Sequence, residues 1–445
     1  MNNLLAARSQ MAMSLAFHII FAVIGIGLPL MMVIAEAAWL RTGDPVYKIL
    51  ARRWSKGAAI LFAVGAVSGT VLSFELGLLW PEFMKFAGSI IGMPFSFEGF
   101  AFFTEAIFLG IYLYGWDRIS PRAHFLSGVM VAASGAASGA LVVLANAWMN
   151  TPVGFTLVDG KIDPASIEPL RAMFSPAAAA QAIHMTLAAY AACGFVGAGV
   201  HAYWLLRDRQ NSFHRKGLAI ALAVGGMASI LQPLSGDYAA KVVAKTQAAK
   251  LAAMEGQFKS ERRAPLRIGG IPDVEAGETR YAIEIPAGLS ILAYDDPNAE
   301  VIGLDSFKPE DRPDVRVVHP AFQIMVACGM AMMAVALVGG FLAWRRKSVP
   351  DARWFLRAVL LSSPLGMIAV EAGWTVTEVG RQPWIINGIL RTSEAVTPVQ
   401  GIVYSMLIYT GLYFFLGAIV VRLLLAQFRS SPTALELSEA KELQS

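Results

Sequence analysis

Nine stretches of this chain are each apolar for about 20 residues or more, the length an α-helix needs to cross the hydrocarbon core of a bilayer. They run over 11–40, 57–80, 98–116, 124–149, 177–206, 217–236, 320–344, 354–377 and 399–425. In hydrocarbon the backbone must satisfy its own hydrogen bonds, so such runs fold as spanning helices. Only 15% of the 445 residues are charged and 56% are apolar, against roughly 25% charged in a soluble protein. The expected class is an all-α integral membrane protein with nine transmembrane helices. A plain soluble enzyme and a disordered chain are excluded, and two cysteines exclude a disulfide scaffold. The first run is too long for a secretion signal and is expected to remain as a span.

Lys and Arg mark the cytoplasmic side of a membrane protein. They crowd the loops that follow odd-numbered spans, from Arg41, Arg52 and Arg53 to Arg345, Arg346 and Lys347, against only Asp44, Asp117, Asp208 and Asp351. The N-terminus is therefore expected outside and the C-terminus in the cytoplasm. The net charge of +4 is too small to suggest nucleic acid. Helices 1–6 then occupy 1–236, an outer loop 237–319, helices 7–9 the stretch 320–427, and a cytoplasmic tail 428–445. The outer loop is long and charge-balanced, with a helix-like piece over 240–258 and a strand-like one at Tyr281–Ile285. A loop of that length is expected to fold and to carry function.

An ionisable side chain inside a span costs about 2.5 kcal/mol or more for acids at mid-helix, so each one needs a reason. Here they are His18, Glu36, Glu75, Glu98, Glu105, His184 and Glu371. Counted from the ends of the apolar runs at 1.5 Å per residue, most fall within roughly 10 Å of the outer boundary. Glu98 and Glu105 are two turns apart on one face, which suits hydrogen-bonded structural acids, a proton path or a counter-charge to a cationic cofactor. A histidine on an apolar helix is most simply a packing residue. His184, however, sits among Ala177–Ala180, Ala182, Ala188 and Ala189, and Met325 lies near Cys328 and Gly329, which leaves room for a large flat group. His and Met together can hold a low-spin haem iron. Cys193 and Cys328 are expected to pack, as are the small residues at four-residue spacing, Ser134 and Ser138 with Gly135 and Gly139. Arg381 in the Gly380–Trp384 run is either part of an ordinary interfacial loop or the partner of an anionic group.

Together these segments resemble subunit I of the cytochrome bd-type quinol oxidases, over nearly the whole chain. The resemblance rests on Gly380-Arg381-Gln382-Pro383-Trp384, Val370-Glu371-Ala372-Gly373-Trp374 and Ile324-Met325-Val326-Ala327-Cys328-Gly329. Glu98-Gly99 followed by Phe102-Phe103-Thr104-Glu105, Gly115-Trp116-Asp117-Arg118 and Ala145-Asn146-Ala147-Trp148-Met149 add to it. It implies a quinol:oxygen oxidoreductase of the bacterial cytoplasmic (inner) membrane that builds a proton motive force without a pump. It also implies a low-spin haem b on His184 and Met325. His18 and Glu371 would serve a high-spin haem b and a haem d, with the assignment between the two left open. Glu98 and Glu105 would deliver protons, with Ser138 and Asn146 near that route, and Arg8, Trp374 and Arg381 would stand beside the cofactors.

Lys250 and Glu255, in Lys250-Leu251-Ala252-Ala253-Met254-Glu255, would contact quinol by the same resemblance; otherwise they read as solvated charges. The implied partners are quinol, oxygen, a second large membrane subunit and, in some assemblies, a small one-span chain. By the family's measure the outer loop is short and resembles that of the short-loop group, which includes cyanide-insensitive oxidases and in which haem b replaces haem d in some members. Gln323 stands where several members carry Arg, and Met367 where some carry Trp. Two other readings compete. A haem cytochrome without oxygen chemistry would need His184 and Met325 alone. An ion-coupled transporter would show inverted repeats and broken helices around a midplane site.

Overall fold

A computed structural model describes residues 2–430, 432 and 437. The chain is built from long helices: α1 (Asn3–Thr42), α2 (Pro45–Leu79), α3 (Pro81–Tyr114) and α4 (Pro121–Asn150). A short α5 (Pro169–Met173) precedes α6 (Ala178–Leu205) and α7 (Ser212–Thr246), and the large loop holds α8 (Ala248–Glu255) and α9 (Gly288–Tyr294). Then come α10 (Val315–Arg346), α11 (Arg353–Ser362), α12 (Leu365–Val379), a single turn α13 (Thr392–Ala395) and α14 (Ile402–Arg429). Among the described residues nine helical spans are long and apolar enough to cross a membrane, α11 and α12 together making the eighth.

Local chemistry starts and stops these helices. The Asp44 side chain accepts from the Val46 amide ahead of Pro45, and Ser120 does the same for Ala123 ahead of Pro121. Proline in the first turn lacks an N–H that would have no partner there. Gly43, at φ +70°, ends α1; only a residue without Cβ takes that conformation cheaply, so the chain reverses into α2 within two residues.

α1 is the central post, packed on α2, α4, α6 and α14, while α6 packs on α7, α11 and α12. α10 lies on α12 and α7. The rim helices turn large apolar side chains outward, such as Phe100 and Phe103 on α3 and Leu407 and Phe414 on α14. Such a surface is an aggregation hazard in water and is dissolved in lipid.

Small residues bring the inner helices together, as their spacing predicts. A Cβ on Gly194 would lie 2.4 Å from the Gly225 Cα, and one on Gly366 2.4 Å from the Ala192 Cα. Cys193 fills the space beside Gly27, and Ile26 that beside Gly139. Gly194→Ala is therefore expected to force α6 off α7 at a cost of about 1–3 kcal/mol. The thermal midpoint in detergent checks this, with Gly340→Ala, which meets nothing within 4 Å, as the control that keeps the parent value or exceeds it.

Most helices outrun the apolar runs that announced them, because backbone hydrogen bonding continues past the lipid-dissolved stretch. The largest difference is α3. Glu82, Lys85 and Pro94 dilute the hydropathy of its first half, so the run seems to open at Glu98. The helix begins at Pro81, which puts Glu98 seventeen residues, about 26 Å, inside it. Glu98 and Glu105 thus form a line along α3 toward the basic side, rather than sitting together by the large loop. The eighth run is not one helix: α11 ends at Ser362 and α12 begins at Leu365. Pro364, which has no amide hydrogen to continue the ladder, stands in the break.

The large loop is folded. After α8 it forms antiparallel two-stranded pairs, Leu266–Ile268 with Ile283–Ile285 and Ile271–Asp273 with Glu278–Arg280. Ala252, Ala253 and Met254 of α8 pack against Val315 and Val318 of α10 and Val376 of α12. Gln323, two residues before Met325, accepts from the Gly269 amide at 2.9 Å and donates to the Arg267 carbonyl at 3.1 Å. The loop is in this way tied to the helix that carries Met325.

Candidate functional site

His18 on α1 faces α2, its Nδ1 2.9 Å from Ser68 Oγ. His184 on α6 faces α7, its Nδ1 2.9 Å from Ser235 Oγ. The other four histidines are engaged differently. His124 has Glu36 Oε1 at 2.7 Å and the Tyr112 carbonyl at 2.9 Å, and His319 has the carbonyls of Met254 at 2.8 Å and Gly269 at 3.0 Å. His201 and His214 face each other at 3.0 Å, and a Cβ on Gly217 would be 2.3 Å from the His201 Nε2. Neither ring nitrogen of His124 or His319 is free, and the far nitrogen of His201 is walled in.

Met325 on α10 reaches α12 at Gly373, where a Cβ would lie 3.0 Å from its Sδ. Glu371, two residues earlier on α12, has a buried Oε1 that no donor among the described residues reaches, and the buried Trp374 Nε1 likewise finds no acceptor among them. Since α6, α7, α10 and α12 pack on one another, His184, Met325, Glu371 and Trp374 belong to one helix cluster, and α1 brings His18 against it.

No group of three His, Cys, Asp or Glu among the described residues could cage a bare metal ion. A haem carries its own four equatorial nitrogens and needs only one or two axial ligands from the protein. Singly placed donors therefore suit haem. So do the partnerless buried atoms here, since Glu371 Oε1, Trp374 Nε1, Gln232 Oε1 and the Arg381 Nε and Nη1 would otherwise each cost free energy.

The buried acids lie along helix interfaces. Glu98 Oε1 accepts from Ser138 Oγ at 3.0 Å. Glu105 is buried against Gly135, where a Cβ would come within 3.3 Å of its carboxyl; the stripe of small residues thus serves packing and also seats both acids. Glu75 accepts from Gln10 at 2.8 Å and Ser14 at 3.0 Å. Gln10, Ser14 and His18 follow at four-residue spacing on α1, so a polar line runs between α1 and α2.

Where the large loop meets the bundle, the charges are not solvated. Lys250 and Glu255 on α8 are buried, 5% and 2% exposed. Burial, then the Arg381 cation, push Lys250 down to about 7. Burial pushes the Glu255 carboxyl up to about 7, opposed by Arg267. Lys250 donates to Asn150, Asn150 donates to Asn146 at 2.9 Å, and Asn146 donates to Glu378 at 2.5 Å. Arg381, 3% exposed, closes the chain on Glu378 at 2.6 Å. Arg381 is thus buried at the foot of the loop rather than set out in solvent. Gln247, Lys250, Arg381, Gln382, Trp384 and Asn387 line a cleft, and neither end of the Gln247 amide has a partner among the described residues. Arg8 is exposed on α1 and makes no ion pair among the described residues.

Sequence reading passed over Glu378, Asn150, Ser68, Ser235 and Gln232. Only Glu378 carried a sign, standing three residues before Arg381 at helical spacing.

A nine-span bundle with singly placed His, Met and Glu side chains in its helices and a folded loop over one end suits a membrane-embedded haem protein. Residues 6–432 match the cytochrome bd terminal oxidase subunit I family, and the chain belongs to that family. It is 38% identical, over 99% of its length and all of the relative, to a Bacillus subtilis (strain 168) protein provisionally named cytochrome bd menaquinol oxidase subunit I. A second protein of that strain, cytochrome bd ubiquinol oxidase subunit 1, is 31% identical over 96% of this chain and 94% of its own. The solved bd oxidase of Geobacillus thermodenitrificans superposes with a TM-score of 0.91 at 39% identity, covering 97% of this chain and 99% of that one. The protein is accordingly a multi-pass subunit of a haem-containing respiratory oxidase in the bacterial inner membrane, and the transporter reading falls.

Proposed function

We propose that this chain oxidises quinol at the cleft beside α8 and reduces oxygen to water within the bundle. The observation that carries this reading is the burial of Lys250 and Glu255 on a loop helix docked against α10 and α12, the helices of Met325 and Glu371. Acid–base groups that titrate near neutral pH suit the removal of protons from a quinol. The quinol is menaquinol or ubiquinol, the substrates in the relatives' names.

In this mechanism Lys250, Gln247 and Arg381 hold the quinol head group, and Glu255 takes up a proton and releases it outside. When bound, the haems supply the one-electron carriers and the oxygen-binding iron. His184 and Met325 hold the low-spin haem b. His18 and Glu371 hold the high-spin pair, haem b with haem d or with a second haem b, as in the short-loop group. Trp374 would stand beside that space, Arg381 between it and the cleft, and Arg8 would approach from the exposed face of α1. Glu105 and then Glu98 pass protons from the cytoplasm toward it, with Gly135 and Ser138 holding the two carboxyls in line. Quinol protons leave on one side and water's protons come from the other, so charge separates without a conformational pump.

The crowding of Lys and Arg in the loops after odd-numbered spans supports an N-terminus outside and a C-terminus in the cytoplasm, with 237–319 as the outer loop between helices 1–6 and 7–9. A second large membrane subunit and, in some assemblies, a small one-span chain complete this electron-transporting, oxygen-reducing translocase. The test is the dithionite-reduced absorbance spectrum of the purified protein, with and without carbon monoxide. We expect a low-spin haem b band and a carbon monoxide-sensitive high-spin species. A spectrum without haem bands sinks the reading, and a low-spin band alone leaves a cytochrome without oxygen chemistry.

A further inference from the structure

His18 and His184 lie on different helices, in unrelated sequence, yet each is seated in the same way. The Ser68 hydroxyl is 2.9 Å from the Val64 carbonyl and 3.2 Å from that of Gly65, one turn back on α2. The Ser235 hydroxyl is 2.9 Å from the Gln232 carbonyl on α7. A hydroxyl has one proton to donate, and in both serines the helix carbonyl takes it. The oxygen lone pair is then what faces the histidine at 2.9 Å, so Nδ1 carries the hydrogen and Nε2 does not.

At His184 the Gln232 Nε2, oriented by its bond to the His184 carbonyl at 3.1 Å, lies 3.2 Å from Nδ1 and 3.1 Å from Nε2, over the ring rather than along either lone pair, so the serine alone selects the tautomer. Each serine is followed by glycine. A Cβ on Gly69 would sit 3.0 Å from the His18 Cε1, and one on Gly236 3.5 Å from the His184 Cε1. The serine chooses the tautomer, and the glycine leaves room for the edge of the ring.

We propose that Ser68 and Ser235 are positioning residues that hold His18 and His184 as Nδ1–H tautomers and thereby set how strongly Nε2 donates to haem iron. This rests on the reading of both histidines as haem ligands. An acceptor on the far N–H orients an imidazole ligand and raises its basicity, which favours the ferric state. Removing it shifts the equilibrium toward the ferrous state.

The experiment is redox titration of the purified oxidase, following the low-spin band in parent, Ser235→Ala and Ser235→Thr proteins. Ser235→Ala is expected to keep the band and move the equilibrium about threefold to tenfold toward ferrous iron, tenfold being 59 mV for a one-electron couple. Ser235→Thr, which keeps the acceptor, is expected to return to the parent potential. Loss of the band in Ser235→Ala with recovery in Ser235→Thr supports the same conclusion. A parent potential in Ser235→Ala overturns it, as does an equal shift or loss in both variants. Ser68→Ala and Ser68→Thr, read at the carbon monoxide-sensitive species, repeat the test for His18. The ligand reading fails separately, if His184→Ala retains the low-spin band.

Discussion

Replacing His184 with alanine is expected to remove the low-spin haem band from the reduced spectrum while the carbon monoxide-sensitive species remains. His184 is held on α6 by Ser235 and Gln232 of α7, far in sequence from Met325 on α10. Met325 alone offers a soft, neutral sulfur that binds iron weakly, so losing the imidazole removes the stronger of two axial bonds. His18 and Glu371 sit on α1 and α12 and owe nothing to the α6–α7 contact, so the species they hold should persist. Without the low-spin carrier, quinol-driven oxygen consumption is expected to fall at least a hundredfold. A variant that keeps its low-spin band, or loses every haem band while still folded, would show that the ligand set is wrong.

The second large effect is the pH dependence of quinol oxidation. Glu255 loses its proton at about 7, so the carboxylate that can receive a quinol proton is the form above that pH. Lys250 is also pushed to about 7, so its cation is the form below it. A reaction that needs the carboxylate and the cation together should peak near neutral pH and fall on both sides. Glu255→Gln is expected to abolish the acid limb and Lys250→Met the alkaline limb, each lowering the maximal rate about a hundredfold. The measurement is steady-state oxygen consumption with a soluble quinol between pH 5.5 and about 9. A profile for either variant that parallels the parent would refute the assignment.

Some of this was readable before any coordinates. Nine apolar runs correspond to nine helical spans because hydrocarbon leaves the backbone no other way to pair its polar groups. The charge-balanced loop folds because it holds enough apolar residues, among them Ala252, Met254 and Val301, to bury against helix ends. Two kinds of information stayed hidden. Hydropathy averages over a window, so Glu82, Lys85 and Pro94 concealed the first half of α3 and misplaced the depth of Glu98. Hydrogen-bond partners such as Ser68, Ser235 and Asn150 are far from their histidines and lysine in the chain, and common residue types give no sign of them.

The linear order of residues was enough for the class, the number of spans and the short roll of ionisable side chains inside them, since each follows from the cost of placing charge and backbone in lipid. It said nothing of which of those side chains meet. Lys250 and Glu255 read alone are solvated charges on a short helix, and they titrate near neutrality only because α8 is pressed between α7, α10 and the Arg381 turn. His18 and His184 read alone are packing residues, and only the packed helices show that a serine from a neighbouring helix meets each Nδ1. Burial and tautomer are properties of contacts between distant segments, so they came into being with the packed bundle.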